Sequence, residues 1–446
     1  MKFSKYVLTS MVTMLLQSLY SIVDGLFISN LVGDIGLSAV NVAWPIIAVI
    51  VALGTGIGCG GAVIMSTRQG AGDIDGSNKA RANIIITLFI AGILVTAAFL
   101  VMLPSLVSRM GATGTLYDLS MDYGLVMILG SAIQIFSTGL TPILRNENKV
   151  VHAMVINVTG LVSNLVLDFV FLYIFGMGIE GAATASLMAQ LIVVLLCLTV
   201  ICRNKKNPIK ISHFKVDLQI IGKMLKIGIS PFGISLAPSL MIMFNNMQCI
   251  KYGGDVAITI FSIITSTVGS YRILLIGVAE GIQPLVSFAK GAKDYDYIKE
   301  VRNKGIKTAI IISFILFLFT AATAKFYPAI YGASDEVAET AFWPIIVSGT
   351  QLIFTGLVRV TNSFFYAVEK NKYSLFLIYF DPLIMTPVLL YVLPEFFGMY
   401  GIWISTTISQ IILNIVAVIM YIRHNRELKG KEEGNGERYI KRLRTS

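Results

Sequence analysis

Long apolar runs separated by short polar breaks recur along the whole chain; 84–103, 306–323 and 402–422 are three of them. Each approaches the ~20 residues that carry a helix across the hydrocarbon core of a bilayer. About twelve such segments fit between the N-terminus and residue 426. A water-soluble core has no reason to repeat full-length spans so regularly. The pattern therefore predicts an all-α membrane protein with twelve transmembrane helices.

Composition agrees: 55% of the 446 residues are hydrophobic and 13% charged, and the mean hydropathy is +0.77. The net charge of +10 invites a nucleic-acid reading, but its placement removes it. Basic residues cluster in alternate loops: Lys2 and Lys5; Arg68, Lys79 and Arg81; Arg145 and Lys149; 203–226; 290–307; Lys370 and Lys372; and 423–444. The intervening loops hold little beyond Arg109, Lys251 and Lys325. This is the positive-inside pattern, with both termini cytoplasmic in a multi-pass inner-membrane protein. The first apolar run follows two lysines as a signal peptide would, yet it is long, contains Asp24 and lacks a small-residue cleavage site. It reads as a retained span. Cys59, Cys197, Cys202 and Cys249 lie in or beside apolar segments, at spacings that suit neither a metal nor a disulfide framework, and read as small buried hydrophobes.

A shift of 221 residues superposes the two halves. Gly33 and Asp34 fall on Gly254 and Asp255, Gly56 and Gly60 on Gly277 and Gly281, Ser66 on Ser287, Asp73 on Asp294, and Arg81 on Arg302. With a drift of a residue or so, Gly176 meets Gly398 and Gln190 meets Gln410. Most matches are glycines and turn residues, which record backbone requirements and not shared composition. Six spans per half is an even number, so both halves start on the same side. They form two six-helix bundles related by a pseudo-two-fold axis along the membrane normal, a layout that leaves a central cleft and permits rocking. The expected divisions are 1–205 for the N-terminal bundle, 206–222 for a cytoplasmic linker, 223–425 for the C-terminal bundle and 426–446 for a solvated tail.

Ionisable residues inside spans are costly, on the order of 3 kcal/mol at the bilayer centre, and are functional candidates by default. Asp24, Asp168, Arg272, Glu280, Arg359 and Asp381 are such residues. Asp24 maps onto Asn245 and Asp168 close to Leu390, so the acidic pair belongs to one half only. Asp24, Asp168 and Ser186 each sit about six to eight residues from an outer turn, which is roughly 9–12 Å along a helix. They can meet at one depth. Asn164 lies one helical turn from Asp168, and Asn157 lies further back on the same stripe. Carboxylates, an amide and a hydroxyl suit a small hard cation, and a buried carboxylate can instead take a proton. Arg272 and Glu280, eight apart, are expected to share a face, lining a substrate path with Gln283 and Asn157 or forming an ion network. Arg359 either points into the cleft or extends toward the cytoplasm. Asp381, before Pro382, is a candidate cap at a break in its span.

The stretches Tyr20–Ile28, Asn164–Gly178, Gly181–Gln190, Gly281–Pro284 and Gly291-Ala292, taken together, resemble the multidrug and toxic compound extrusion (MATE) family. The prokaryotic branch with DinF-like and MepA-like members is the nearest in character. The resemblance implies a V-shaped pair of bundles that exports amphipathic, cationic organic compounds in exchange for Na⁺ or H⁺. It implies a cation site of Asp24, Asn164, Asp168 and a span-six hydroxyl, here Ser186 where many members carry Thr. Glu280 stands where Gln is common, and span one lacks a proline, so a proline-hinged bend there is not expected. Partners are then drug-like small molecules and membrane lipids, with no cofactor beyond the coupling ion, no nucleic acid, and a monomeric state. The alternative is a lipid-linked precursor flippase of the wider superfamily. An intramembrane enzyme has no support, since His152, His213 and His424 are scattered and no nucleophile motif occurs.

Overall fold

The computed structural model describes residues 2–204 and 207–445, with side chains at 19–27, 29, 30, 34 and 427–445 outside the description. The chain runs as α1 (Phe3–Leu31), α2 (Asp34–Gly70), α3 (Ile74–Arg109), α4 (Thr115–Leu129), α5 (Ser131–Asn146), α6 (Val150–Asp168) and α7 (Gly178–Cys202). The second half holds α8 (Leu218–Ala292), α9 (Tyr295–Thr323), short α10 (Tyr327–Ile330) and α11 (Asp335–Thr340), α12 (Phe342–Gly349), α13 (Gln351–Ala367), α14 (Asn371–Phe380), α15 (Thr386–Phe397) and α16 (Met399–Thr445). Among the described residues nine helices are long and apolar enough to cross a membrane. The pair α4 and α5, bent by 55° at Gly130, makes a tenth span. Helix α1 is another. The last comes from α8, which is two arms broken at Gly254, where φ is 57° and ψ is −145°. Twelve spans result.

Spans one to six pack among themselves, as do seven to twelve, and the two lobes meet through α1 and α2 against α8. The repeat is visible in the backbone itself. Positive-φ residues recur at the offset: Gly33 with Gly254, Gly72 with Lys293, Gly111 with Gly332, Asn148 with Glu369, and Gly176 with Gly398. Helix starts repeat too. Asp73 caps α3 by accepting from the Gly76 amide (2.8 Å), and Asp294 caps α9 by accepting from Tyr297 (3.0 Å). The same oxygen-to-amide bond satisfies an orphan donor in each half.

The matched glycines are where the lobes touch. A Cβ on Gly56 would lie 2.9 Å from the Gly228 carbonyl and 3.1 Å from Phe232, while one on Gly277 would lie 2.8 Å from the Met11 backbone. Gly281 approaches Val7 in the same way (2.6 Å), and Gly70 and Gly291 bring α2 and α8 together near their ends, against Phe288 and Thr67. Small residues let helices in lipid approach to backbone contact, which supplies the packing that water would otherwise drive. The equivalent contacts on α1 and on the first arm of α8 are what the two-fold requires.

Helix α8 begins at Leu218, five residues before the expected bundle start, because Asp217 caps it through the amides of Gln219 and Ile220 (2.9 and 3.1 Å). The described part of the linker is strapped to α3: Asn83 donates to the Lys215 carbonyl (3.1 Å) and accepts from the Asp217 amide (2.9 Å). Behind it Arg81, fully buried, pairs with Glu147 at 2.9 Å. Its repeat mate Arg302 bonds Tyr421 and Asn425, both at 2.8 Å. Cys59, Cys197 and Cys249 are buried as expected, whereas Cys202, the last residue of α7, is exposed.

Candidate functional site

Asp168 closes α6 and is wholly buried; Asn164, one turn earlier, is buried as well. The Asn164 Nδ2 donates to Asp168 Oδ2 at 2.7 Å. From α7 the Ser186 hydroxyl donates to Asn164 Oδ1 across a longer 3.5 Å. Directly after Asp168 the helix widens into a π-helical segment, Phe169–Ile174. Such widenings cost hydrogen-bond geometry and concentrate at functional positions. Carboxylate, amide and hydroxyl oxygens therefore converge inside the N-terminal lobe, able to coordinate a small cation or to hold a proton. Asn157 stands apart from this group, since its amide goes to its own helix at the Ala153 carbonyl (2.8 Å). Asp24 lies outside the described side chains; its helix, α1, packs on α6, α7 and the π segment.

Glu280, 20% exposed, and Gln283, buried, both take part in contacts between the lobes. Glu280 forms an ion pair with Arg145 at the end of α5, across the lobe boundary. Gln283 exchanges hydrogen bonds with Asn146 (3.1 and 3.2 Å) and donates to Ser287 (3.0 Å). Nearby, Ser66 donates to the Pro284 carbonyl at 3.3 Å. Together with the Gly70–Gly291 approach these contacts seal the lobes at the face carrying the N-terminus and the loops at 71–73 and 147–149. Periodicity could not expose this, because the partners lie 135 and 137 residues earlier in the chain. A charge in an apolar span demands a counter-charge, and that was the one available signal for Arg145.

Toward the other face the lobes part. The stripe of α2 that carries Gly56 continues through exposed Pro45, Asn41 and Ser38, and the Gly277 stripe of α8 continues through exposed Ser266, Ser262 and Thr259. Surface that is packed between lobes at one level is exposed, and mostly polar, about three to five turns away.

Arg272, half-buried on the second arm of α8, belongs to the C-terminal lobe with Arg359 and Asp381. Arg359 is buried inside that lobe. Asp381 sits at the C-cap position of α14, and its side chain bonds other side chains. It opens a second π segment, Asp381–Met385, and accepts from Thr386 and Gln410 (2.7 Å each) and from Ser409. At the sealed face, outside the spans, Glu369 binds Lys223 (2.7 Å) and Lys290 (2.8 Å). Burial works against its charge, but the two lysines more than reverse this and hold the carboxyl below its ordinary 4.5.

Two like lobes, sealed at one membrane face and parted at the other around buried polar groups, define a two-lobed polytopic membrane transporter. The MatE family model matches residues 10–170 and again 232–392, once in each half, and the chain belongs to that family. Among curated relatives, the Multidrug export protein MepA of Staphylococcus saprophyticus is 22% identical over 428 residues, covering 95% of this chain and 94% of its own. The protein of the same name from Staphylococcus aureus is 23% identical, covering 94% and 93%. Among solved structures, an outward-facing multidrug resistance MATE transporter of the MOP superfamily superposes with a TM-score of 0.91 at 25% identity, covering 96% of this chain and 97% of that one. A MOP superfamily transporter from Pyrococcus furiosus, described by a binding pocket of reverse polarity, superposes with 0.90 at the same identity and coverage.

Proposed function

We propose that the protein is a secondary active antiporter that exports amphipathic organic compounds in exchange for entering Na⁺ or H⁺. Its membrane is the cell's inner membrane, with both termini cytoplasmic and a monomer as the working unit. Multidrug export by the relatives supports the direction and the substrate breadth, and the family resemblance makes organic cations the first class to test. The observation that carries the coupling is the wholly buried Asp168, bonded to Asn164 with Ser186 beyond it. A carboxylate kept away from water inside a membrane lobe is expensive. It is tolerable if a cation or proton neutralises it for part of a cycle. In the Na⁺ case Asp168, Asn164 and Ser186 supply oxygens, with Asp24 on the adjoining α1 as the fourth ligand the resemblance implies.

The basic loops support a cytoplasmic sealed face, which would make the molecule open outward. Cation entry from outside into the N-terminal lobe would then be linked to breaking and remaking the seal at Arg145–Glu280 and Asn146–Gln283. A lipid-linked precursor flippase asks for a row of cations along a groove facing lipid. The two span arginines lie instead within the C-terminal lobe. The test is efflux from proteoliposomes with Na⁺ and pH gradients imposed separately. Folded protein that moves an amphipathic organic cation no faster with either gradient than with none would remove the antiport reading.

A further inference from the structure

The C-terminal lobe holds a second polar centre, built by different residues from those around Asp168. Arg272 comes from the second arm of α8, Arg359 from α13 and Asp381 from the π segment, which packs on α8 and α16. Asp381 is 5% exposed and its oxygens are occupied by neutral donors, Thr386 and Ser409 on Oδ1 and Gln410 on Oδ2. Arg359 is 8% exposed. Among the described residues neither arginine makes a hydrogen bond or an ion pair within 4 Å, although each sits in the field of Asp381 and Arg359 also in that of Arg272. Two guanidinium groups thus share the field of one carboxylate that already accepts three hydrogen bonds from neutral donors.

A guanidinium has five N–H donors and no acceptor. Arg359 is buried and Arg272 half-buried, and among the described residues no nitrogen of either is closed off without a partner, so both present free donors to accessible space. The repeat shows that a lobe does not need these charges to fold. At the offset of 221, Arg272 and Arg359 correspond to Val51 and Thr138, and Asp381 to Gly160. The first two of those N-terminal positions are neighbours, since the Thr138 hydroxyl lies 3.5 Å from the Val51 carbonyl. The scaffold pairs the positions of Arg272 and Arg359 in the N-terminal lobe with neutral residues, and only the C-terminal lobe charges them. We propose that Arg272 and Arg359 receive the acid group, a carboxylate or phosphate, of an amphipathic organic molecule. Paired planar forks match the two-oxygen edge of such a group better than any neutral polar set. Asp381 holds the net charge of the centre at one positive, so a single acid group neutralises it.

This deepens the export reading by naming a charge on the molecule carried, and it is tested without any gradient, so failure of coupled flux would leave it standing. The full chain is placed in phosphatidylcholine nanodiscs in chloride-free buffer and titrated with dansyl-glycine and with its methyl ester, read by dansyl fluorescence. Wild type is expected to bind the acid about ten-fold more tightly than the ester, the loss of one good charge-assisted contact. Arg359→Gln and Arg272→Gln each remove that preference and leave ester affinity unchanged, which also reports that the variants are folded; Arg359→Lys keeps part of it. Equal affinity for acid and ester in wild type, or equal loss of both ligands in the glutamine variants, overturns the proposal. Restoring chloride distinguishes the remaining case: if physiological chloride erases the preference, the centre is a small inorganic-anion site and the amphipath assignment falls.

Discussion

Asp168 and Glu280 are both carboxylates inside spans, and their partners set them apart. Asp168 is met by an amide and sits beyond a hydroxyl, so Asp168→Asn keeps shape while removing the charge. Gradient-driven efflux is expected to drop to background with yield and monodispersity preserved; wild-type flux would remove the residue from the mechanism. Glu280 is held by Arg145 on the other lobe. Glu280→Gln should weaken the sealed state by about 1.5–3 kcal/mol, the usual worth of a hydrogen bond to a charged group. That is roughly a ten- to hundred-fold shift toward the state open at the sealed face, visible as faster labelling of a cysteine introduced at Ser66. Glu369 has a pH signature. Its folded carboxyl lies below 4.5, so its contribution is complete above about pH 4.5 and fades as pH falls through the lower folded value. Thermal unfolding of Glu369→Gln should therefore differ most from wild type at neutral pH and converge with it in acid. The Asn164–Asp168–Ser186 contact was legible because helical spacing and turn depth are local quantities. The partners of Glu280 and Asp381 were not, since they come from distant helices that no periodicity relates.

At the scale of elements, glycines carry the contact between lobes, and a π segment follows one buried carboxylate, Asp168, and begins with the other, Asp381. Gly281→Val puts a branched side chain where a Cβ is already 2.6 Å from Val7. Relief requires α8 to move off α1. Spin labels at positions 71 and 296, exposed and on opposite lobes at the sealed face, should report a longer distance in the variant; an unchanged distance would show that the approach is not what closes the lobes. The number and extent of the spans could be read from hydropathy, because length in an apolar solvent is what hydropathy measures. The 55° bend at Gly130 and the π turns after Asp168 and at Asp381 could not. They leave the apolar pattern unchanged and are set by packing against neighbouring helices.

For the whole molecule, the repeat supplies one scaffold twice and the lobes then diverge in charge. The positive-φ pairs and the glycine contacts were foreshadowed by the sequence offset, since backbone requirements leave the same residues in both halves. The direction in which the lobes open was not, because it depends on contacts such as Asn146 with Gln283 that form between halves. The central claim is that the charge of Asp168 couples cation entry to movement of the lobes. The most direct measurement is efflux of an amphipathic organic cation from proteoliposomes, with Na⁺ and pH gradients varied independently, for wild type and Asp168→Asn side by side. Flux that rises with one gradient in wild type and ignores both in the variant is the predicted result. Equal gradient dependence in the two proteins would contradict it.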